Sequence, residues 1–210
     1  MAKDFLRGRQ SASRGEGDMK VLAINGSPRK DGNTQVMIDE AAKALKKAGI
    51  GVESVALRDY DVRPCNACEL CYKKHWKCSI KDDTLGLLDK MVAADGLIIA
   101  SPVYSADITA QMKALLDRCV IAYNEQDFKD KVGGAITVGG GAHGGQEFAL
   151  LQIMSFFAFH GIIPAGSKGG LFGAMGTAGD KGDVRKNKDS LQSAAELGER
   201  MAELLKRLGR

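Results

Sequence analysis

The chain has 210 residues, 44% apolar and 27% charged, with 30 Lys and Arg against 26 Asp and Glu. This is the balance of one globular domain, which excludes collagen-like, mucin-like and wholly disordered chains. The net charge of +4 is spread along the sequence, so no basic face for nucleic acid is expected.

Residues 1–18 are polar and rich in Gly, Ser and Arg, and read as a disordered tail ahead of one domain over 19–210. They lack an apolar export core, and the most apolar stretch, Phe148 to Ile163, is interrupted by Gln152, Ser155 and His160. A cytoplasmic protein with no membrane partner is expected. Its five cysteines then read as thiols or metal ligands, not a disulfide framework.

Lys20 to Asn25 is an apolar run closed by Gly26 and predicts a buried strand. Thr34 to Ala48 has helical spacing and a Gly49 cap, and Val52 to Leu57 predicts the second strand. A polar, cysteine-bearing insertion runs from Arg58 to Asp83. Helices are predicted over Thr84 to Ala94, Thr109 to Tyr123, Gln146 to His160 and Asn187 to Leu208. Between them lie strands at Gly96 to Ala100, stopped by Ser101-Pro102, at Gly133 to Val138, and a short fifth from Ile162. Strands alternating with helices give an α/β fold, a doubly wound five-stranded parallel sheet. Residues 166–186 match no assignable element.

Ligands of such sheets bind at the carboxyl ends of the strands, where three loops stand out. The first, Gly26 to Thr34, precedes a helix N-terminus, an anion site to which Ser27, Arg29, Asn33 and Thr34 add donors or charge. It fits neither the Walker A spacing nor the G-x-G-x-x-G fingerprint, and suits a phosphate monoester better than a triphosphate. An ordinary strand–turn–helix capped by Asn33 is the competing reading. The second loop, Ser101 to Thr109, offers Pro102, Val103, Tyr104 and Ser105 as wall and hydrogen-bonding edge for a flat ring. The third contains Gly139, Gly140, Gly141, His143, Gly144 and Gly145. Fifteen of the 26 glycines fall between Gly133 and Gly182, and such a run costs chain entropy unless a ligand or backbone comes close. His143 is either a donor to a ring oxygen or a plain surface histidine. His160 and Cys119 read as core residues. A phosphate pocket beside a flat slot suits flavin mononucleotide (FMN).

Gly26-Ser-Pro-Arg-x-x-Gly-Asn-Thr34, Ser101-Pro-Val-Tyr104 with Met112-Lys-x-x-x-Asp-Arg118, and Gly139 to Glu147 resemble the flavodoxin-like NADPH-dependent FMN reductases. The resemblance spans Met19 to about Ile163. It implies sheet order 2-1-3-4-5, the FMN phosphate at Ser27, Arg29, Asn33 and Thr34, and ring contacts at Pro102 to Ser105 and Gly139 to Gly145. It also implies a homodimer or homotetramer.

Cys65-x2-Cys68-x2-Cys71-x6-Cys78 places four thiols within fourteen residues, a spacing that suits a [4Fe–4S] cluster. It resembles the iron–sulfur flavoprotein branch of the same family, which holds such a cluster in this insertion before an Asp-Asp pair like Asp82-Asp83. Structural zinc and a metal-free loop are the alternatives. Lys73, Lys74, His75, Lys77 and Lys81 surround Cys78 and would suit an acidic redox partner, the 2′-phosphate of NADPH, a reduced cluster, or water. Trp76 would shield a cluster or flavin from water, or form a subunit contact. The expected activity is FMN-dependent electron transfer, with NAD(P)H or a ferredoxin-type protein as donor. A plain NAD(P)H-dependent FMN or quinone reductase, a non-enzymatic electron carrier or redox sensor, and a zinc-stapled binding scaffold are the rivals.

Overall fold

The computed structural model describes residues 19–167 and 172–209; the expected tail over 1–18 lies outside the described residues. In chain order the elements are β1 (Lys20–Asn25), α1 (Asn33–Lys47), β2 (Gly51–Ala56), α2 (Leu70–Lys73), α3 (Thr84–Ala93), β3 (Gly96–Pro102) and α4 (Ala110–Arg118). There follow β4 (Val132–Gly139), α5 (Gln146–Phe159), β5 (Ile163–Ala165), β6 (Ala174–Thr177) and α6 (Lys188–Arg207). Short 3-10 turns stand at Leu57–Asp59, Cys119–Ala122 and Asp183–Lys186.

Every strand pairing is parallel, in the order β2-β1-β3-β4-β5, with β6 also on β4. This is the expected doubly wound order, with one addition. β5 pairs with Val132–Gly134 and β6 with Ile136–Gly139, so two short segments share the fifth position along one flank of β4. Part of the unassigned 166–186 stretch is therefore sheet. Gly173 brings the chain in, since a Cβ there would meet the Ala135 carbonyl oxygen at 2.4 Å.

Alternation along the strands sorts the core into two layers. Leu22, Ile24, Leu97 and Ile99 face α3, α4 and α5. Val21, Ala23, Ile98 and Ala100 face α1 and α6. The amphipathic α6 buries its stripe on α1 and the sheet. At Gly198 the two helices come so close that a Cβ would lie 2.3 Å from the Ala41 carbonyl oxygen.

Two expected boundaries move by more than one residue. β3 continues through Ser101 and Pro102, which pair with Thr137 and Val138; proline is tolerated as the last residue of the strand. The helix expected to reach Tyr123 leaves α geometry after Arg118 and tightens into the 3-10 turn. Among the described residues, no helix is long and apolar enough to cross a membrane.

Candidate functional site

β1, β3, β4 and β6 end along one edge, and hydrogen bonds tie their loops together. The Gly26 N–H donates to the Ala100 carbonyl at 2.8 Å, and the Thr109 hydroxyl donates to the Gly26 carbonyl at 2.9 Å. Thr109 also caps α4, accepting from the Met112 N–H. Val103 N–H donates to the Val138 carbonyl at 2.9 Å, joining the second loop to β4.

In the first loop Ser27 is buried, and its hydroxyl accepts from the Arg29 N–H at 3.2 Å, closing the turn on itself. Arg29 is exposed and Thr34 is buried at the start of α1. The residue before that helix, Gly32, makes no side-chain cap. The first N–H groups of α1, on Asn33 and Thr34, have no acceptor within the helix and face this loop, the arrangement of an anion seat. The Asn33 side chain is turned elsewhere. Its amide nitrogen donates to the Asp180 carbonyl at 2.8 Å and its amide oxygen accepts from the Val184 N–H at 3.2 Å. Asn33 thus straps residues 180–184 to the loop, a role its neighbours in sequence do not announce.

The second loop is a tight hairpin. Tyr104 and Asp107 exchange backbone hydrogen bonds at 2.9 and 3.0 Å, with Ser105 (φ 49°) and Ala106 (φ 61°) at the tip. Two consecutive left-handed residues make a primed turn, usually built with Asn or Gly; Ser and Ala there hold strain. Pro102 and Val103 are half-buried beneath it, and Tyr104 is 44% exposed, its ring open to a flat partner.

The third loop is organised by Gln146, whose place in the sequence announces only the start of a helix. Its buried amide oxygen accepts from the Gly144 N–H at 2.8 Å, and its nitrogen donates to the Gly141 carbonyl at 2.7 Å and the Gly176 carbonyl at 3.3 Å. Gly139 is required by that packing, since a Cβ would meet the Gln146 amide at 2.7 Å. A Cβ at Gly140 or Gly141 would meet nothing within 4 Å. No contact among the described residues explains these two glycines, and such open space has the shape to take a planar ligand. His143 is exposed beside them.

The cysteine segment hangs from a neck. Asp61 and Asp83 are bridged twice, by Asp83 N–H to the Asp61 carbonyl at 2.9 Å and by Asp61 N–H to the Asp83 carboxylate at 2.8 Å. Cys65 and Cys68 are exposed; Cys71 and Cys78 are half-buried against the core. The Ser79 hydroxyl donates to the Cys68 sulfur at 3.0 Å and, with the Leu70 N–H, draws that thiol's pKa down. Burial, and then the charges of Cys65 and Cys68, push Cys71 up. Among the described residues, no three His, Cys, Asp or Glu side chains are gathered as a metal site. Trp76 packs on the core and donates to Asp89 at 3.1 Å. Lys73, Lys74, Lys77 and Lys81 are exposed. Cys119 is fully buried, and burial pushes its thiol well above the ordinary range.

Beneath this segment lies Arg118, 1% exposed and the last residue of α4. Its Nη1 donates to Asp82 and, at 3.0 Å, to the Arg63 carbonyl; its Nη2 donates to the Cys78 sulfur at 3.2 Å. Burial alone would raise the Asp82 carboxyl, but hydrogen bonds from Arg118, Arg63 N–H and Thr84 N–H outweigh it and hold the pKa at about 2.

Residues 19–173 match the family described as NADPH-dependent FMN reductase. An iron-sulfur flavoprotein of Methanocaldococcus jannaschii is 40% identical over 190 residues, covering 90% of this chain and 98% of the relative. Another, from Methanosarcina thermophila, is 35% identical over 89% of this chain and 95% of its own length. Among solved structures, RosB with the bound intermediate 8-demethyl-8-formylriboflavin-5'-phosphate superposes with a TM-score of 0.70. That match has 20% identity over 90% of this chain and 80% of that one. A WrbA-like flavodoxin from Agrobacterium tumefaciens gives 0.63 at 16% identity, over 90% and 99%. At these identities the structural matches speak for the fold.

Proposed function

The chain belongs to the NADPH-dependent FMN reductase family, in its iron–sulfur flavoprotein branch, and from that premise we propose that it passes electrons between FMN at the strand ends and a [4Fe–4S] cluster at Cys65, Cys68, Cys71 and Cys78. It is an FMN-dependent oxidoreductase. The observation that supports the placement of FMN is the glycine loop. Gln146 braces it, and Gly140 and Gly141 border space that no described residue fills.

The phosphate would lie on the first N–H groups of α1, with Ser27, Thr34 and the exposed Arg29 around it, and with Asn33 acting through its backbone and its strap to 180–184. The ring would lie between the Pro102–Ser105 hairpin and Gly139–Gly145, with His143 at its edge. Bound FMN supplies the redox chemistry; the protein supplies orientation and electrostatics. The four thiols fit a cluster by number, softness and spacing, and two of them are already set against the core. NAD(P)H or a ferredoxin-type protein would supply electrons.

A homo-oligomer would cover the exposed apolar side chains Phe148, Leu151 and Phe159 along α5. Light scattering should return a dimer or tetramer; a monomer would remove that assignment.

Absorption of anaerobically purified protein, with iron and acid-labile sulfide assays, tests the cofactors. Flavin bands over a broad iron–sulfur background, with about four irons per chain, are expected. Flavin without iron would leave a plain NAD(P)H-dependent reductase, and zinc would make the segment a structural staple. NADPH oxidation with a free acceptor separates a reductase from a carrier.

A further inference from the structure

A guanidinium is the side chain least suited to an apolar core unless an anion or several acceptors wait for it. Arg118 reaches the interior from the end of α4 and spends its donors on both ends of the cysteine segment. At the entry it holds the carbonyl of Arg63, two residues before Cys65. At the exit it holds Asp82 and the sulfur of Cys78. Asp82 is held in turn, accepting from Arg63 N–H at 3.0 Å and Thr84 N–H at 3.1 Å. Nothing in this network requires the sulfur: a neck closed by Arg118, Asp82 and Arg63 would stand with any small residue at position 78. One donor atom is left with no bond at all: Arg118 Nε is buried and has no acceptor among the described residues. A buried unsatisfied donor on a charged group is costly. The clasp therefore has more positive hydrogen-bonding capacity than the protein alone satisfies.

We propose that Arg118 is a positioning residue for the cluster: it fixes Cys78 as the anchored ligand and lays a buried positive charge against the cluster's sulfur shell. The inference rests on the cluster reading above. Among the described residues, Cys78 is the one of the four thiols that accepts a hydrogen bond from a cation, while Cys65 and Cys68 are exposed. Preorganising one ligand lowers the ordering cost of assembly. A fixed charge and a hydrogen bond to a ligating sulfur favour the reduced, more anionic cluster, since net charge and hydrogen bonds to sulfur set the potentials of such centres. The exposed lysines of the same loop are screened by water and cannot substitute for a charge held inside the core.

The test uses the full chain, purified and reconstituted anaerobically with iron and sulfide. Two variants are compared with wild type: Arg118→Lys, and the double change Arg118→Gln with Asp82→Asn, which removes both charges together so that no carboxylate is stranded. FMN stoichiometry reports the fold, iron and sulfide report assembly, and a redox titration reports the potential. The wild type is expected to hold about four irons. The double variant leaves the net charge unchanged but removes the hydrogen bond to Cys78 and the charge nearest its sulfur, so it should keep its FMN, lose at least half of its iron, and shift the remaining cluster to a more negative potential. Lys keeps the charge but not the fork, and should restore part of the iron. Unchanged iron and potential in the double variant would overturn the proposal and leave the cluster reading intact. Joint loss of FMN and iron in both variants would reduce the clasp to a fold-stabilising pair and overturn it too. A wild type without iron would overturn the cluster reading, and this inference with it.

Discussion

Thr109 and Arg118 stand at the two ends of one nine-residue helix, and each holds a different site. Thr109 caps the helix and bonds the carbonyl of Gly26, which opens the first strand-end loop, while Arg118 ends it against Cys78. Through α4, about 13 Å long, the chain sets the position of the strand-end loops proposed to hold FMN and of the cysteine segment relative to one another.

Removing the Thr109 hydroxyl should therefore be felt at one end only. Thr109→Val loses the cap and leaves the Gly26 carbonyl without its donor, a cost of about 2 kcal/mol in stability. FMN should bind about tenfold more weakly, with iron content unchanged. Urea denaturation and a fluorescence titration of FMN measure both. Equal losses of iron and FMN would mean that the helix couples the sites instead of spacing them.

Gln146 is the strongest candidate for a residue that shapes the flavin slot without belonging to it. Gln146→Leu keeps the volume but strands the Gly144 N–H and the Gly141 and Gly176 carbonyls. We expect a stability loss of about 1–3 kcal/mol and a roughly tenfold or larger rise in the Kd for FMN. A variant that binds FMN as wild type does would show that the glycine loop takes its shape from the ligand alone.

Much of this arrangement was legible in local signals. The apolar run Lys20–Asn25 is a strand with those boundaries, and the three loops stand out because Gly, Pro and Ser punctuate the chain where strands end. What depends on distant partners was not legible. Ala174–Thr177 is too short and glycine-rich to read as a strand, and becomes one because Ile136–Gly139 offers it a free flank. Gln146 looks like any polar residue opening a helix until Gly141 and Gly176 are brought beside it. Arg118 and Asp82 are 36 positions apart. The sequence offers Asn33 as a phosphate donor or a helix cap, and only the fold shows its amide committed to Asp180 and Val184.

That commitment separates two roles for Asn33. If its side chain touches phosphate directly, Asn33→Asp should repel the ligand and be far worse than Asn33→Ala. If it acts as the strap seen here, Asp keeps the bond from Val184 N–H and loses only the one to Asp180. Both variants should then weaken FMN binding by about five- to thirtyfold, one hydrogen bond's worth or slightly more. Isothermal titration with FMN and with riboflavin decides, because a strap defect weakens both while a phosphate defect weakens only FMN.

His160 ties stability to pH. It is buried at the end of α5 among Tyr123, Phe128, Phe156 and Phe159, and burial lowers its pKa from 6.5 to about 4. Between those values the unfolded chain takes up a proton that the folded chain refuses. The neutral ring's contribution is thus complete above pH 6.5 and is lost as pH falls toward 4. His160→Phe keeps an aromatic ring in place and removes the titration. The stability difference between wild type and variant, from urea denaturation, should be flat above pH 6.5 and move against the wild type below it, by at most about 2 kcal/mol at pH 5. A difference that stays constant from pH 8 to pH 5 would mean that the folded protein protonates this ring as readily as the unfolded chain does.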